Sequence, residues 1–352
     1  MSESSKTKRS GGATARGKLD ITVIICTRNR APQLRQALES AARLRVPDDL
    51  KWELVVVDNG SSDGTAEVAA SFKSRLPVRV IREETPGLSN ARNRGVAEAA
   101  GTYICWTDDD LLLDPEWLSA YAAAFKRHPE AAVFGGRIHP FLQPPTPRWF
   151  AECAEEWPLT TLLAKRDFGD EVIPLSFELQ TVPWGANFAV RTEEQRRVGY
   201  EPALGVSPLQ RRLGEESEVI FQIMKAGGQG WWVPDSKVRH LIQPERQSLR
   251  YIFQYFRSYG ETLAYMERTW PGAHHMTANP SAVENIAGGP VSLYARAAAQ
   301  AVLFVLAWLL GLTGRSLKIL MKVGLYVGAA GVAAAPPAPQ GLANGRPRAA
   351  GP

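Results

Sequence analysis

Leu54-Val55-Val56-Val57-Asp58-Asn59-Gly60-Ser61-Ser62-Asp63-Gly64 is the stretch on which the fold turns. Four consecutive apolar residues make a strand covered on both faces, since a half-exposed strand would alternate. The residues after it are almost all turn formers, so the strand stops abruptly in a polar loop. A similar signature recurs on either side, where Ile21-Thr22-Val23-Ile24-Ile25-Cys26 runs into Thr27-Arg28-Asn29-Arg30 and Tyr103-Ile104-Cys105-Trp106 runs towards Asp108-Asp109-Asp110. Helical patterns lie between these strands. Leu34, Ala37, Leu38, Ala41 and Leu44 follow Pro32, a second helix runs from Thr65 to Lys73, and Val78–Ile81 is a further strand. Ser89 is placed to cap a helix that runs to Ala100 and stops at Gly101. Strand–helix alternation of this kind predicts an α/β fold with a mostly parallel sheet flanked by helices. Ligands bind such sheets beyond the carboxyl ends of the strands, where the polar clusters after Val57 and Trp106 fall.

Further along, Pro140, Pro144, Pro145, Pro147 and Pro158 break the chain, with Trp149 and Trp157 among them. So many large apolar residues predict a long connection laid over the site, not a free linker. Val219, Ile220, Ile223 and Met224 share one helical face that ends at Gly227-Gly228. Trp231–Val233 and Lys237–His240 read as two short strands around Pro234-Asp235, followed by a helix from Ser248 to Met266. Ala297–Gly314 carries no charge and reaches the lower limit for a membrane span, roughly 18 residues. In Ser316–Val327, Lys318 and Lys322 oppose Leu320, Val323 and Val327, the pattern of a helix lying in an interface.

These patterns divide the chain into a disordered polar leader (1–19), a catalytic-size domain (20–270), a linker (271–292), membrane-associated helices (293–334) and a disordered tail (335–352). The net charge is +5, and no acidic residue follows Glu284, whereas Arg296, Arg315, Lys318, Lys322, Arg346 and Arg348 do. Those charges surround aliphatic runs, which points to an anionic membrane surface; a nucleic-acid reader would interleave bases with aromatics on a polar platform. Cys26, Cys105 and Cys153 have no metal-type spacing and read as buried reduced thiols, so the cytoplasmic face of the membrane is the expected location.

The triplet Asp108-Asp109-Asp110 demands an explanation, because adjacent carboxylates repel. Solvent can offset that charge, and so can a divalent cation bridging to a diphosphate, since hard oxygen ligands suit Mg²⁺ or Mn²⁺. Asn90, Arg92 and Arg94 at a helix start favour phosphate, and Arg92 is read as part of the solvated helix face.

With these motifs in hand, the first 240 or so residues resemble a family-2 glycosyltransferase of the GT-A fold. The matching pieces are Thr22–Arg30, Val55–Thr65, Pro86–Gly95 and Trp106–Asp110, in order and at strand ends. The resemblance implies an inverting transfer of a sugar from a nucleotide-diphosphate donor to a hydroxyl, with Mn²⁺ or Mg²⁺ as cofactor. It places Thr27, Arg28 and Arg30 beside the nucleotide, Asp58 on the base or ribose, and Asn90 and Arg94 along the diphosphate. Asp108 and Asp110 form the metal pair, with Asp109 between them on the donor side and His240 completing the site. Trp184, Gly185 and Asn187 resemble the family's acceptor-side loop. Glu216 stands where many relatives carry the Asp that acts as general base, with Glu215 as its competitor. Arg246 recurs in a subset of relatives without an assigned role.

A nucleotidyltransferase would want a Gly-rich basic loop after the first strand, which Cys26-Thr27-Arg28-Asn29 does not offer. No GxGxxG follows any strand, which argues against a dehydrogenase. The alternative of another class is a non-catalytic membrane-bound subunit of a glycan assembly complex that binds nucleotide sugar. The acceptor implied by the leading reading is a lipid-linked saccharide or a cell-envelope or exopolysaccharide glycan.

Overall fold

The computed structural model describes residues 19–208, 210–270 and 286–335. The expected leader (except Leu19), most of the linker and almost all of the tail lie outside these residues.

The predicted strands form β1 (Leu19–Thr27), β2 (Trp52–Asp58), β3 (Val78–Arg82) and β4 (Gly101–Asp108), followed by β5 (Leu111–Leu113). β6 (Val133–Leu142), β7 (Asn187–Arg191) and β8 (Gly230–Ile242) complete one eight-stranded sheet in the order β3-β2-β1-β4-β7-β6-β8-β5. The first four spatial neighbours are parallel. β7 then runs antiparallel to both β4 and β6, β8 is parallel to β6, and β5 is antiparallel to β8. Thr27 pairs with Asp58 and Cys26 with Asp108, so three strand ends reach the same level.

Burial follows the two-residue period. Ile21, Val23, Ile25, Leu54, Val56 and Cys105 pack on one face, against α1 (Ala31–Ala41), α2 (Thr65–Ser71) and α4 (Trp117–Arg127). Ile24, Val55, Val57, Ile104 and Trp106 pack on the other, against α3 (Leu88–Glu98) and α8 (Glu215–Lys225). Short helices α5 (Arg148–Cys153), α6 (Leu159–Leu162) and α7 (Thr192–Arg197) punctuate the connections.

Two local expectations are corrected. Gly87, with φ of +132°, caps α3, and Ser89 instead donates its hydroxyl to Leu204 O at 2.8 Å. The two short strands around Pro234-Asp235 are one continuous strand. β6 and β8 pair through Gly136–Val233 and resume at Arg137–Lys237, so residues 234–236 bulge out without ending the strand.

A helical layer follows. Ser248 Oγ accepts from Tyr251 N at 3.2 Å and starts α9 (Leu249–Thr269). After it come α10 (Pro290–Leu309) and α11 (Thr313–Ala334), each long and apolar enough by length and composition to cross a membrane. The uncharged run Ala297–Gly314 is thus not one helix; it turns at residues 310–312. α9 and α11 pack backbone to backbone, since a Cβ at Gly328 would overlap Arg257 O and one at Gly260 would overlap Leu325 O. Leu320 and Val323 are buried in this cluster while Lys318 and Lys322 face outward, so the domain's own helix covers the apolar face assigned to an interface. α10 differs: Val302, Leu303, Val305, Leu306 and Leu309 are exposed along it.

Candidate active site

The strand ends, the start of α8 and the inner face of α9 enclose a cavity of about 660 Å³. Its floor is the acidic triplet, and guanidinium groups offset the carboxylate charge there. Arg30 is held at the start of α1 by Thr65 Oγ1, which accepts its N–H at 3.1 Å. Its Nε lies 2.8 Å from Asp109 Oδ1 and its Nη2 2.8 Å from Asp110 Oδ2. Thr27 Oγ1 donates to Asp109 Oδ2 at 2.7 Å. Burial pushes the Asp109 carboxyl up, to about 7, against the opposing pull of Arg30. Burial acts on Asp110 as well, but the guanidiniums of Arg246 and Arg30, at 3.0 and 2.8 Å, pull its carboxyl the other way.

Arg92 is the residue the sequence reading misplaced. It is 4% exposed, lies over the rings of Trp106 and Tyr200, and sits 3.3 Å from Glu215 Oε1 and 3.8 Å from Asp108 Oδ1. Arg94 points away and pairs with Glu98 at 2.9 Å. Helical phase decides between them, because residues two apart lie on nearly opposite faces. Gly95 must face the sheet, where a Cβ would meet Ile24 Cγ2 at 2.9 Å, and this turns Ala91 and Arg92 inward. Asn90 also stays off the cavity wall, donating to Pro86 O at 3.0 Å.

On the β2 side, Asp58 is buried behind the wall, where Oδ1 accepts Ser61 N at 2.9 Å and Arg82 lies 3.5 Å from Oδ2. Asn59 replaces it on the cavity, and Arg28 donates to Asn59 O at 2.8 Å. Trp184 and Gly185 line the cavity, with Arg166 over the Trp184 ring. Asn187 does not. It is fully buried, its Oδ1 accepts from Trp117 Nε1 and Tyr121 OH, and its Nδ2 donates to Arg137 O and Ser236 O. With these hydrogen-bonding groups engaged inside the fold, it ties the β8 bulge to the sheet and lies off the cavity wall.

The start of α8 supplies two carboxylates. Gly214 takes φ of +84°, a left-handed conformation that aims Glu215 and Glu216 at the cavity. Glu215 is buried against Arg92, and burial together with Glu216 raises its carboxyl to about 7 while Arg92 opposes the shift. Glu216 Oε1 accepts Gly185 N at 3.3 Å. A Cβ at Gly185 would lie 2.9 Å from Glu216 Cδ and 3.2 Å from Arg92 Nη2, so a side chain there would displace these two groups. Opposite, α9 presents Tyr251, Tyr255 and Tyr259, a row at four-residue spacing legible as one helical stripe but not read as part of a site.

Among the described residues, no group of three or more His, Cys, Asp and Glu side chains is arranged to hold a metal. A two-residue set is present. Asp110 Oδ1 lies 3.7 Å from His240 Nε2, and β5–β8 pairing of Leu111 with His240 fixes that approach. His240 Nδ1 faces Leu163 O at 3.0 Å, so Nδ1 carries the hydrogen and Nε2 presents its lone pair towards Asp110. This oxygen and nitrogen pair suits Mn²⁺, with a substrate oxygen to complete the set. Asp108 turns instead towards Arg92.

Residues 22–175 match the family Glycosyl transferase family 2. The succinoglycan biosynthesis protein ExoM of Rhizobium meliloti (strain 1021) is 23% identical over 256 residues, which cover 70% of this chain and 76% of that protein. A PGL/p-HBAD biosynthesis glycosyltransferase of Mycobacterium bovis (strain BCG / Pasteur 1173P2) is 38% identical over 121 residues, 33% of this chain, and the match spans less than half (46%) of that relative's length. Among solved structures, a mannosyltransferase from Pyrobaculum calidifontis, in complex with GDP-Man and Mn²⁺, shares the fold, with a TM-score of 0.56 at 20% identity over 90% of this chain and 87% of that one.

Proposed function

We propose that this chain, a family-2 glycosyltransferase by residues 22–175, moves a sugar with inversion from a nucleoside-diphosphate donor to an acceptor hydroxyl. The observation that carries the reading is the convergence on one cavity of a guanidinium-rich floor and a carboxylate, Glu216, that makes no ion pair among the described residues. Thr27, Arg28 and Asn59 line the nucleotide side, and Arg30 and Arg92 supply positive charge to the diphosphate. Asp110 and His240 would hold a divalent ion, which would supply positive charge against the departing diphosphate. Glu216 takes the proton of the acceptor hydroxyl, whose oxygen forms the new bond to the anomeric carbon. The bond from that carbon to the diphosphate oxygen breaks, and the electron pair leaves with the nucleoside diphosphate. Glu215 keeps Arg92 in place beside Asp108.

A saccharide or lipid-linked saccharide acceptor fits two observations: succinoglycan and PGL/p-HBAD biosynthesis in the names of relatives, and the apolar outer face of α10. In this reading α10 rests on the cytoplasmic leaflet, and flotation with anionic vesicles tests it, since a chain that stays at the bottom of the gradient contradicts it. The donor is tested by thermal shift against UDP-, GDP- and TDP-sugars with Mn²⁺. One class is expected to raise the melting temperature of the wild type and not of Asp110→Asn. Stabilisation by none, or equal stabilisation of both chains, counts against the donor reading.

A further inference from the structure

The carboxylates Asp108, Asp109 and Asp110 stand against three guanidiniums, Arg30, Arg92 and Arg246, but the three are not equivalent. Arg30 bridges Asp109 and Asp110 and leaves His240 alone. Arg246, on a single helical turn (Pro244–Arg246), puts Nη2 at 3.0 Å from Asp110 Oδ2 and Nη1 at 3.2 Å from His240 Nε2. The Nε2 lone pair accepts that N–H, because Leu163 O already takes the hydrogen on Nδ1. The two ends of one guanidinium therefore occupy the carboxylate and the imidazole assigned above to the divalent ion. A lone pair donated to an Arg N–H is not available to a metal, and a guanidinium and a divalent cation side by side repel.

We propose that Arg246 is a built-in placeholder for the metal, whose side chain must leave Asp110 and His240 before an ion can bind both; this rests on the metal reading above. Arg246 already lines the cavity. A guanidinium displaced there is stabilised by an anionic group in the cavity, so the ion and a diphosphate assist one another's binding through this side chain. The free protein then keeps its carboxylates neutralised without holding a divalent ion tightly.

The test is Mn²⁺ alone, titrated without nucleotide into the full chain and followed by the loss of the free-ion electron paramagnetic resonance signal. Arg246→Gln is expected to bind Mn²⁺ about tenfold more tightly than the wild type, a coupling of ordinary size. Arg30→Gln removes the same charge at a similar distance from Asp110 and is expected to gain much less, because it frees no lone pair on His240. Equal or weaker binding by Arg246→Gln overturns the inference while the metal reading stands. An equal gain by Arg30→Gln also overturns it, since charge removal alone then explains the effect. Failure of all three chains to bind Mn²⁺ even with a nucleoside diphosphate removes the metal reading and this inference together. If Arg246→Gln loses its near-ultraviolet circular dichroism, Arg246→Lys is the substitute. Its single ammonium cannot span both atoms as a planar fork does, so a smaller but measurable gain is expected, and none would overturn the inference.

Discussion

The two walls of the cavity hold charge in opposite ways. On the sheet wall Asp109 and Asp110 are each within 3.0 Å of a guanidinium, carried by the turn that joins β4 to β5. On the helical wall Glu215 shares Arg92 with Asp108, whereas Glu216 accepts a backbone N–H at 3.3 Å and makes no ion pair among the described residues. Paired carboxylates and guanidiniums suit a wall that receives a polyanion, because the arginines can exchange one anion for another. A carboxylate held by a backbone N–H and turned to the cavity is placed to meet an acceptor hydroxyl. On the function proposed above, the contrast between the walls separates donor binding from deprotonation.

The sharpest way to break that contrast is at Glu216. Glu216→Gln keeps the shape and is expected to lower transfer by about 10²–10⁴-fold, with the melting temperature and nucleotide binding unchanged. Retained activity would return the base role to Glu215 or to neither. Next in size is the support of the helical wall. Gly328→Leu pushes α11 away from Arg257 on α9, which should cost about 3 kcal/mol in urea unfolding, whereas Gly331→Leu, facing open space, costs little. Similar losses at the two sites would mean that the close approach of the helices is not what holds this wall.

A smaller effect concerns Glu215. Its folded-state value of about 7 lies above the ordinary 4.5, so folding favours its protonated form. Its contribution is greatest below about pH 4.5, falls as the pH rises towards 7 and is flat beyond. Glu215→Gln should therefore gain about 2–3 kcal/mol on the wild type between pH 5 and pH 8; a pH-independent difference contradicts the shift. Smallest of all, Arg94→Ala is expected to change stability by less than about 0.5 kcal/mol and leave transfer intact, because its pair with Glu98 is on the surface. A large loss there would reverse the assignment of Arg92 to the cavity.

The sheet wall was legible because burial on both faces writes itself as unbroken apolar runs, and strand ends write themselves as turn formers. Leu54–Val57 before Asp58–Gly64 needs no partner to be read. The residues misread are those whose meaning depends on a neighbour distant in sequence. Arg92 and Arg94 look alike until Gly95 is seen against Ile24. Pro234-Asp235 ends a strand in most settings, yet β6 continues beside it and β8 resumes pairing. Asn187 carries the same polar groups whether it meets a ligand or, as here, Trp117 and Tyr121. In the tail, composition does not distinguish α11, covered by α9, from α10, whose outer face is open, because lipid and protein interior select the same side chains.

The packing of α9 on α11 also sets a timetable. On a growing polypeptide the sheet is complete once β8 has emerged at Ile242, but α9 ends at Thr269 and its cover, α11, ends at Ala334. At synthesis rates of about 5–20 residues per second, α9 exists for roughly 3 to 13 s before α11 is finished. During that interval Ile252, Phe256 and Leu263 lack the helix that shares their core cluster, while α10, apolar on its outer face, emerges between the two. The newborn chain therefore passes through a stage in which its sheet can already be folded and its last helices still present bare greasy surfaces, a stage at which a chaperone or a bilayer has the most to hold.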